Sequence, residues 1–190
     1  MLVTVALIPP EHVLDDVETA LGRSPAPPGE FVRVARNSLM LPVFGLGNIT
    51  RPMVTSLAHY IHEELDTSEP SPRVRFSGVW AIEEEGDPTI GLPLVGEVER
   101  VEDLARRLPR IVATHGFFVD RRRFQPRMTL GSVTPTTSLS WLERLVGDLE
   151  GHASPIWSVS EVVLLRPRFD DDGPEAWEVV ETISTGIDPV

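Results

Sequence analysis

Two segments of this 190-residue chain follow the same plan. Residues 38–65 and 127–149 each read as a strand, a short turn and an amphipathic helix. In the first, Leu39, Leu41 and Val43 alternate with Ser38, Met40 and Pro42, the period of a strand with one apolar face. Pro42 inside that strand predicts an edge position or a bulge, because proline donates nothing to a ladder. Residues 45–48 read as the turn, and Thr50 is placed to cap a helix reaching residue 65, with Val54, Leu57, Ala58, Ile61 and Leu65 as its apolar stripe. In the second segment, residues 128–133 read as the strand and residues 138–149 as the helix, with Leu139, Leu142, Leu145 and Val146 as stripe. Ser140 and Glu143 have the spacing of a capping box there.

The rest of the chain supplies more strands than helices. Residues 2–8, LVTVALI, form a buried strand ended by Pro9 and Pro10, and residues 11–21 form a helix. After a proline-rich loop at 23–30, residues 31–34 fit a short strand. Strands at 74–82 and 90–95 flank an acidic turn at 83–88. A helix at 101–112 carries Pro109 as an expected kink, and strands at 156–166 and 177–183 flank an acidic loop at 170–175. The order lacks strict alternation of strand and helix, so it favours an α+β fold over a doubly wound sheet.

Composition excludes several functions. Seventeen basic residues against 29 acidic ones give a net charge of −12, so binding along a long nucleic-acid duplex is excluded. There are no cysteines, hence no disulfide, thiolate metal site or cysteine nucleophile. The apolar run at the start is too short to span a bilayer and has no basic residue before it, so a membrane protein is not expected and a cytoplasmic one is. No complete phosphate-loop pattern and no Gly-x-Ser-x-Gly elbow occurs.

The two repeated strands carry a specific resemblance. Residues 38–45, SLMLPVFG, resemble the first signature of the 2H phosphoesterase superfamily (2′,5′-RNA ligase-like, RNA 2′,3′-cyclic phosphodiesterase): His-x-Thr-Leu, an apolar strand end and a glycine. Residues 124–133, FQPRMTLGSV, resemble the second, in which a proline precedes His-x-Thr-Leu. The strands start 89 residues apart, similar to the family's separation, and the opening LVTVALIPPEHV and late VSEVVLLRPR are also family-like. The resemblance implies that residues 1–190 form one bilobal domain: two similar lobes of antiparallel strands with packed helices around a central cleft.

The same resemblance places the family's two histidines on Ser38 and Arg127 and its two hydroxyl residues on Met40 and Thr129, so Thr129 alone keeps the family's residue type. In the family one imidazole is the base and the other the acid, without a metal or other cofactor. Serine does not titrate near neutrality and arginine stays protonated, so neither shuttles a proton there. The expectation is a degenerate member with no catalytic residues, in which Ser38, Arg127, Thr129 and Arg123 bind an anion such as a nucleotide or an RNA end. Two other readings stay open: a cyclic phosphodiesterase using non-standard residues, and a scaffold for a protein partner.

Other groups have plainer readings. The run Arg121, Arg122, Arg123 is either a solvated surface or a positive mouth for an anion. His12, His59, His62, His115 and His152 occur in no His-x-Thr pattern; His59 and His62 with Glu63 and Glu64 lack a third metal ligand, and His152 reads as a turn residue. Residues 170–173 read as a solvated turn, and Trp80, Trp141, Trp157 and Trp177 as core.

Overall fold

The computed structural model describes residues 1–65, 67–82, 88–120, 122–170 and 173–187. Along the chain these form β1 (Leu2–Leu7), α1 (Glu11–Gly22), β2 (Phe31–Arg33), β3 (Leu41–Asn48), α2 (Arg51–Glu64), β4 (Arg73–Phe76), β5 (Trp80–Ile82), β6 (Thr89–Gly96), α3 (Val98–Thr114), β7 (Arg127–Val133), α4 (Leu139–Glu150), β8 (Trp157–Ser158), β9 (Glu161–Asp170) and β10 (Gly173–Ser184). The class is α+β. No helix among the described residues is long and apolar enough to cross a membrane.

Two sheets hold the strands. One has the order β10-β9-β1-β3, and the other runs β2-β7-β6-β4-β8 with β5 also paired to β6; every pairing between these strands is antiparallel. Alternation along the strands sets the faces. Val3, Val5 and Leu7 of β1, with Leu39, Leu41 and Val43 at β3, are buried in the main core, which the helices cover. Ala6 turns the other way and joins Val163 and Leu165 in a second, small cluster packed by Met40 and Trp177.

Four local expectations need correction. Ser38 does not start a strand: it ends a single 3-10 turn at Arg36–Ser38, and β3 begins at Leu41 and runs through the glycines assigned to a turn. Register shifts between β1 and β3 let the strand pass Pro42, which cannot donate to its neighbour. The strand expected at 74–82 is broken, because Gly78 sits at φ +85° and Pro93 of β6, facing the break, has no N–H to offer. Ser77 N–H instead donates to Pro93 O and Gly78 N–H to His152 O, so β4 and β5 share one edge of β6.

The helix at 98–114 runs through Pro109 as one element. The cap of α4 is Ser138, not Ser140 with Glu143. The Glu30 carboxylate accepts from both the N–H and the Oγ of Ser138 at 2.8 Å, a tertiary acceptor whose negative charge suits a helix N-terminus. The acidic turn at 83–87, Arg121, and Asp171 with Asp172 lie outside the described residues.

Candidate anion-binding cleft

Strand β7 places the two central residues. Arg127 and Thr129 are two apart, so they share one face, while Met128 and Leu130 between and beyond them are wholly buried. On one side β6 pairs along this stretch, Pro93 with Arg127 and Gly91 with Thr129. On the other, β2 pairs only from Gly131 onward, and Val34 N–H donates to Leu130 O. The first residues of β7 therefore border a cavity of about 820 Å³.

Thr4 of β1, Pro42 and Gly45 of β3, and Trp177 of β10 line the same cavity, as do Arg122, Arg123 and Gln125 from the segment before β7. Two arginines from that run thus line the same cavity as Arg127, and both are exposed to solvent there. Guanidinium groups are permanently charged and offer paired donors to phosphate or carboxylate. The Thr129 and Thr4 hydroxyls add neutral donors.

The segment is tied to β3 at Asp120, whose N–H donates to Gly45 O at 2.9 Å. Its side chain also lines the cleft, with Oδ2 3.3 Å from Arg122 Nε and Oδ1 buried without a hydrogen-bond partner among the described residues. Asp120 is a functional candidate that sequence reasoning missed, since a lone acidic residue in a loop carries no pattern. Thr4 was legible in principle, because alternation along β1 puts it opposite Val3 and Val5.

The structure brings Arg127, Thr129 and Arg123 together and leaves Ser38 and Met40 elsewhere. Ser38 lines no part of the main cleft; its Oγ lies 3.5 Å from Asn37 Oδ1. Met40 borders a separate hollow of about 380 Å³ with Arg36 and Trp177. The residue of that face which reaches the cleft is Pro42. Leu39, Leu41 and Val43 are buried as the alternation predicts, but the position along the chain differs: Pro42 lies two residues beyond Met40, about 7 Å along a strand, and four beyond Ser38, which precedes the strand.

Two tryptophans also differ from expectation. Trp141 and Trp157 are core, but Trp177 is half-buried at the cleft wall, and half-buried Trp80 lies under Arg127.

No histidine lines the cleft among the described residues. His115 caps the end of α3, stacks on Tyr60 at 3.8 Å and pairs with Glu64, while His59 Nε2 lies 3.3 Å from Glu63. His152 follows the turn at Gly151, as read from the sequence, and is buried near Asp16. Among the described residues no group of three or more histidine or carboxylate side chains is placed to hold a metal.

No protein-family model matches the chain, and no curated protein matches it either. Solved structures do. TT0787 of Thermus thermophilus aligns over 98% of this chain and 99% of its own, with TM-score 0.68 and 21% identity. Escherichia coli LigT complexed with 3′-AMP aligns over 96% of both chains, with TM-score 0.66 and 17% identity. The fold is that of the LigT-like 2H phosphoesterases. LigT complexed with ATP aligns over 98% of both chains at 14% identity and TM-score 0.66. Identities this low carry the LigT-like architecture, and the chemistry of this chain has to be argued from its own cleft.

Proposed function

We propose that this protein binds a small phosphate-bearing ligand, a nucleotide or the end of an RNA, in the cleft beside β7, and that it is a degenerate 2H phosphoesterase without two-histidine catalysis. One observation carries the reading: Arg127, Arg122 and Arg123 converge with Thr129 on a cavity that no histidine lines among the described residues. Three fixed positive charges and hydroxyl donors match a phosphate, and none of these groups exchanges a proton near neutral pH. The bound ligands of LigT structures, 3′-AMP, ATP and phosphate among them, support this ligand class. The net charge of −12 limits the contact to a short ligand, since a longer strand would meet the acidic surface.

Catalysis and binding separate cleanly by experiment. The wild type is mixed in EDTA with an oligonucleotide ending in a 2′,3′-cyclic phosphate, and turnover is followed. In parallel, 3′-AMP is titrated calorimetrically into wild type and Arg127→Ala. The expected result is no turnover, binding by the wild type, and a dissociation constant about tenfold to a hundredfold higher in the variant. Turnover lost on Arg127→Ala would make the site an enzyme by another route. Absence of binding would remove the ligand assignment.

A further inference from the structure

The guanidinium carbon of Arg127 lies 3.0 Å from the centroid of the Trp80 ring. Such closeness is reached only over the face of a ring, because an edge-on approach is stopped by the ring's own atoms. The guanidinium plane therefore lies along the indole. Its N–H bonds, which lie in that plane, point out past the ring instead of into it. An arginine on a long, flexible stem is thereby held with its donors presented sideways.

The sheet builds this contact across one residue. Trp80 pairs with Gly91 of β6, and Gly91 pairs on its other side with Thr129 of β7. A side chain at position 91 would meet Met128 O at 2.6 Å, so the close approach of β7 requires glycine there. No side chain at 91 then separates the indole from the arginine. Trp80 lines a hollow of about 430 Å³ together with Arg123, Gln125 and Arg127, which also line the main cleft, and is not itself among the described residues lining that cleft. Its stacking contact with Arg127 links it to that cleft.

Resting on the phosphate-binding reading above, we infer that Trp80 is the positioning residue of the anion site, fixing the Arg127 guanidinium so that its donors face the ligand. Arg127 is a poor replacement for a proton shuttle but a good clamp, and a clamp gains affinity when it is ordered before the ligand arrives. An indole is the strongest of the aromatic partners for a cation.

The test is calorimetric titration of the full chain with 3′-AMP, using Trp80→Met, which keeps bulk but removes the ring, and Trp80→Phe, which keeps a weaker ring. Trp80→Met is expected to raise the dissociation constant about tenfold and Trp80→Phe about threefold or less. In an Arg127→Met background neither substitution has a further effect, a result that a merely structural role would not produce. Should Trp80→Met fail to fold, the threefold step of Trp80→Phe and its loss in that background decide the matter. Trp80 variants that bind like wild type, or that lose affinity equally in the Arg127→Met background, overturn the role of Trp80 alone. A wild type that does not bind 3′-AMP overturns the phosphate-binding reading and this role with it.

Discussion

The carboxylate of Asp120 occupies the place that a side chain at Gly45 would take: Oδ2 lies 2.8 Å from where that Cβ would stand. The absence of a side chain on β3 is what lets an acidic group enter a cleft otherwise lined by arginines. Gly45→Ala is expected to push the carboxylate aside and to cost about 1–2 kcal/mol of stability. In an Asp120→Ala background the same change costs less, because the contact no longer exists. A double-mutant cycle by urea unfolding checks this, and a cost that is equal in both backgrounds rejects it.

Asp120 also opposes an anionic ligand. Its negative charge borders the cleft and partly neutralises Arg122, so Asp120→Asn is expected to tighten 3′-AMP binding by about threefold to tenfold. The gain shrinks as salt is raised. Titrations of wild type and variant at two ionic strengths measure both effects.

His152 and Asp16 join the first and last helices. His152 Nε2 lies 2.9 Å from Asp16 Oδ2, yet the two are not aligned for a hydrogen bond, and neither atom has another partner among the described residues. His152 is almost wholly buried, next to the end of α4, where its N–H donates to Leu149 O. His152→Ala is expected to lower the unfolding free energy by about 1–3 kcal/mol, with Asp16→Asn milder because that side chain is partly exposed. Chemical denaturation reads both, while ligand affinity stays unchanged because neither residue lines the cleft.

Glu97 ties the start of α3 to β4. Its carboxylate accepts from the Arg73 N–H at 2.7 Å and from Arg100 at 3.0 Å, and those bonds, the backbone one first, hold its pKa below the ordinary 4.5. A depressed carboxyl stabilises the fold above its unfolded pKa and loses that contribution as the pH falls through the folded value. Glu97→Gln is therefore expected to be less stable than wild type near neutral pH and to converge with it as the pH falls below 4.5 and through the lowered folded value. Urea midpoints of both proteins across this range provide the check; a gap that widens in acid contradicts it.

Pro109 interrupts the hydrogen-bond ladder of α3, since it has no N–H for the carbonyl of Ala105. Pro109→Ala restores that bond in a half-exposed position and is expected to stabilise the protein by about 1–3 kcal/mol. Thermal unfolding measures it.

Much of the architecture was legible in the chain. The strand of residues 2–8, ended by two prolines, appears as β1, and the N–H groups of Val13 and Leu14 cap onto Pro10 O as α1 begins. The two strand–helix units appear as β3–α2 and β7–α4. These features depend on neighbours in sequence, such as side-chain alternation and helical stripes. The boundary errors have long-range causes. Ser138 caps α4 with help from Glu30, more than a hundred residues away, and the strand expected at 74–82 breaks where it meets Pro93.

The candidate site divides the same way. By itself the sequence determined that Arg127 and Thr129 share a face of a strand, that arginines cluster before it, and that no histidine stands in either signature. Periodicity fixes which way a side chain points relative to its own backbone. It says nothing of how far along a neighbouring strand that side chain comes to rest. Only the tertiary structure decided that Pro42 rather than Ser38 reaches the cleft, that Asp120 enters over Gly45, and that Trp80 lies beneath Arg127. Bulged register between β1 and β3, and pairing of β5 and β7 on either side of a glycine in β6, set those distances, and both depend on how separate strands pair.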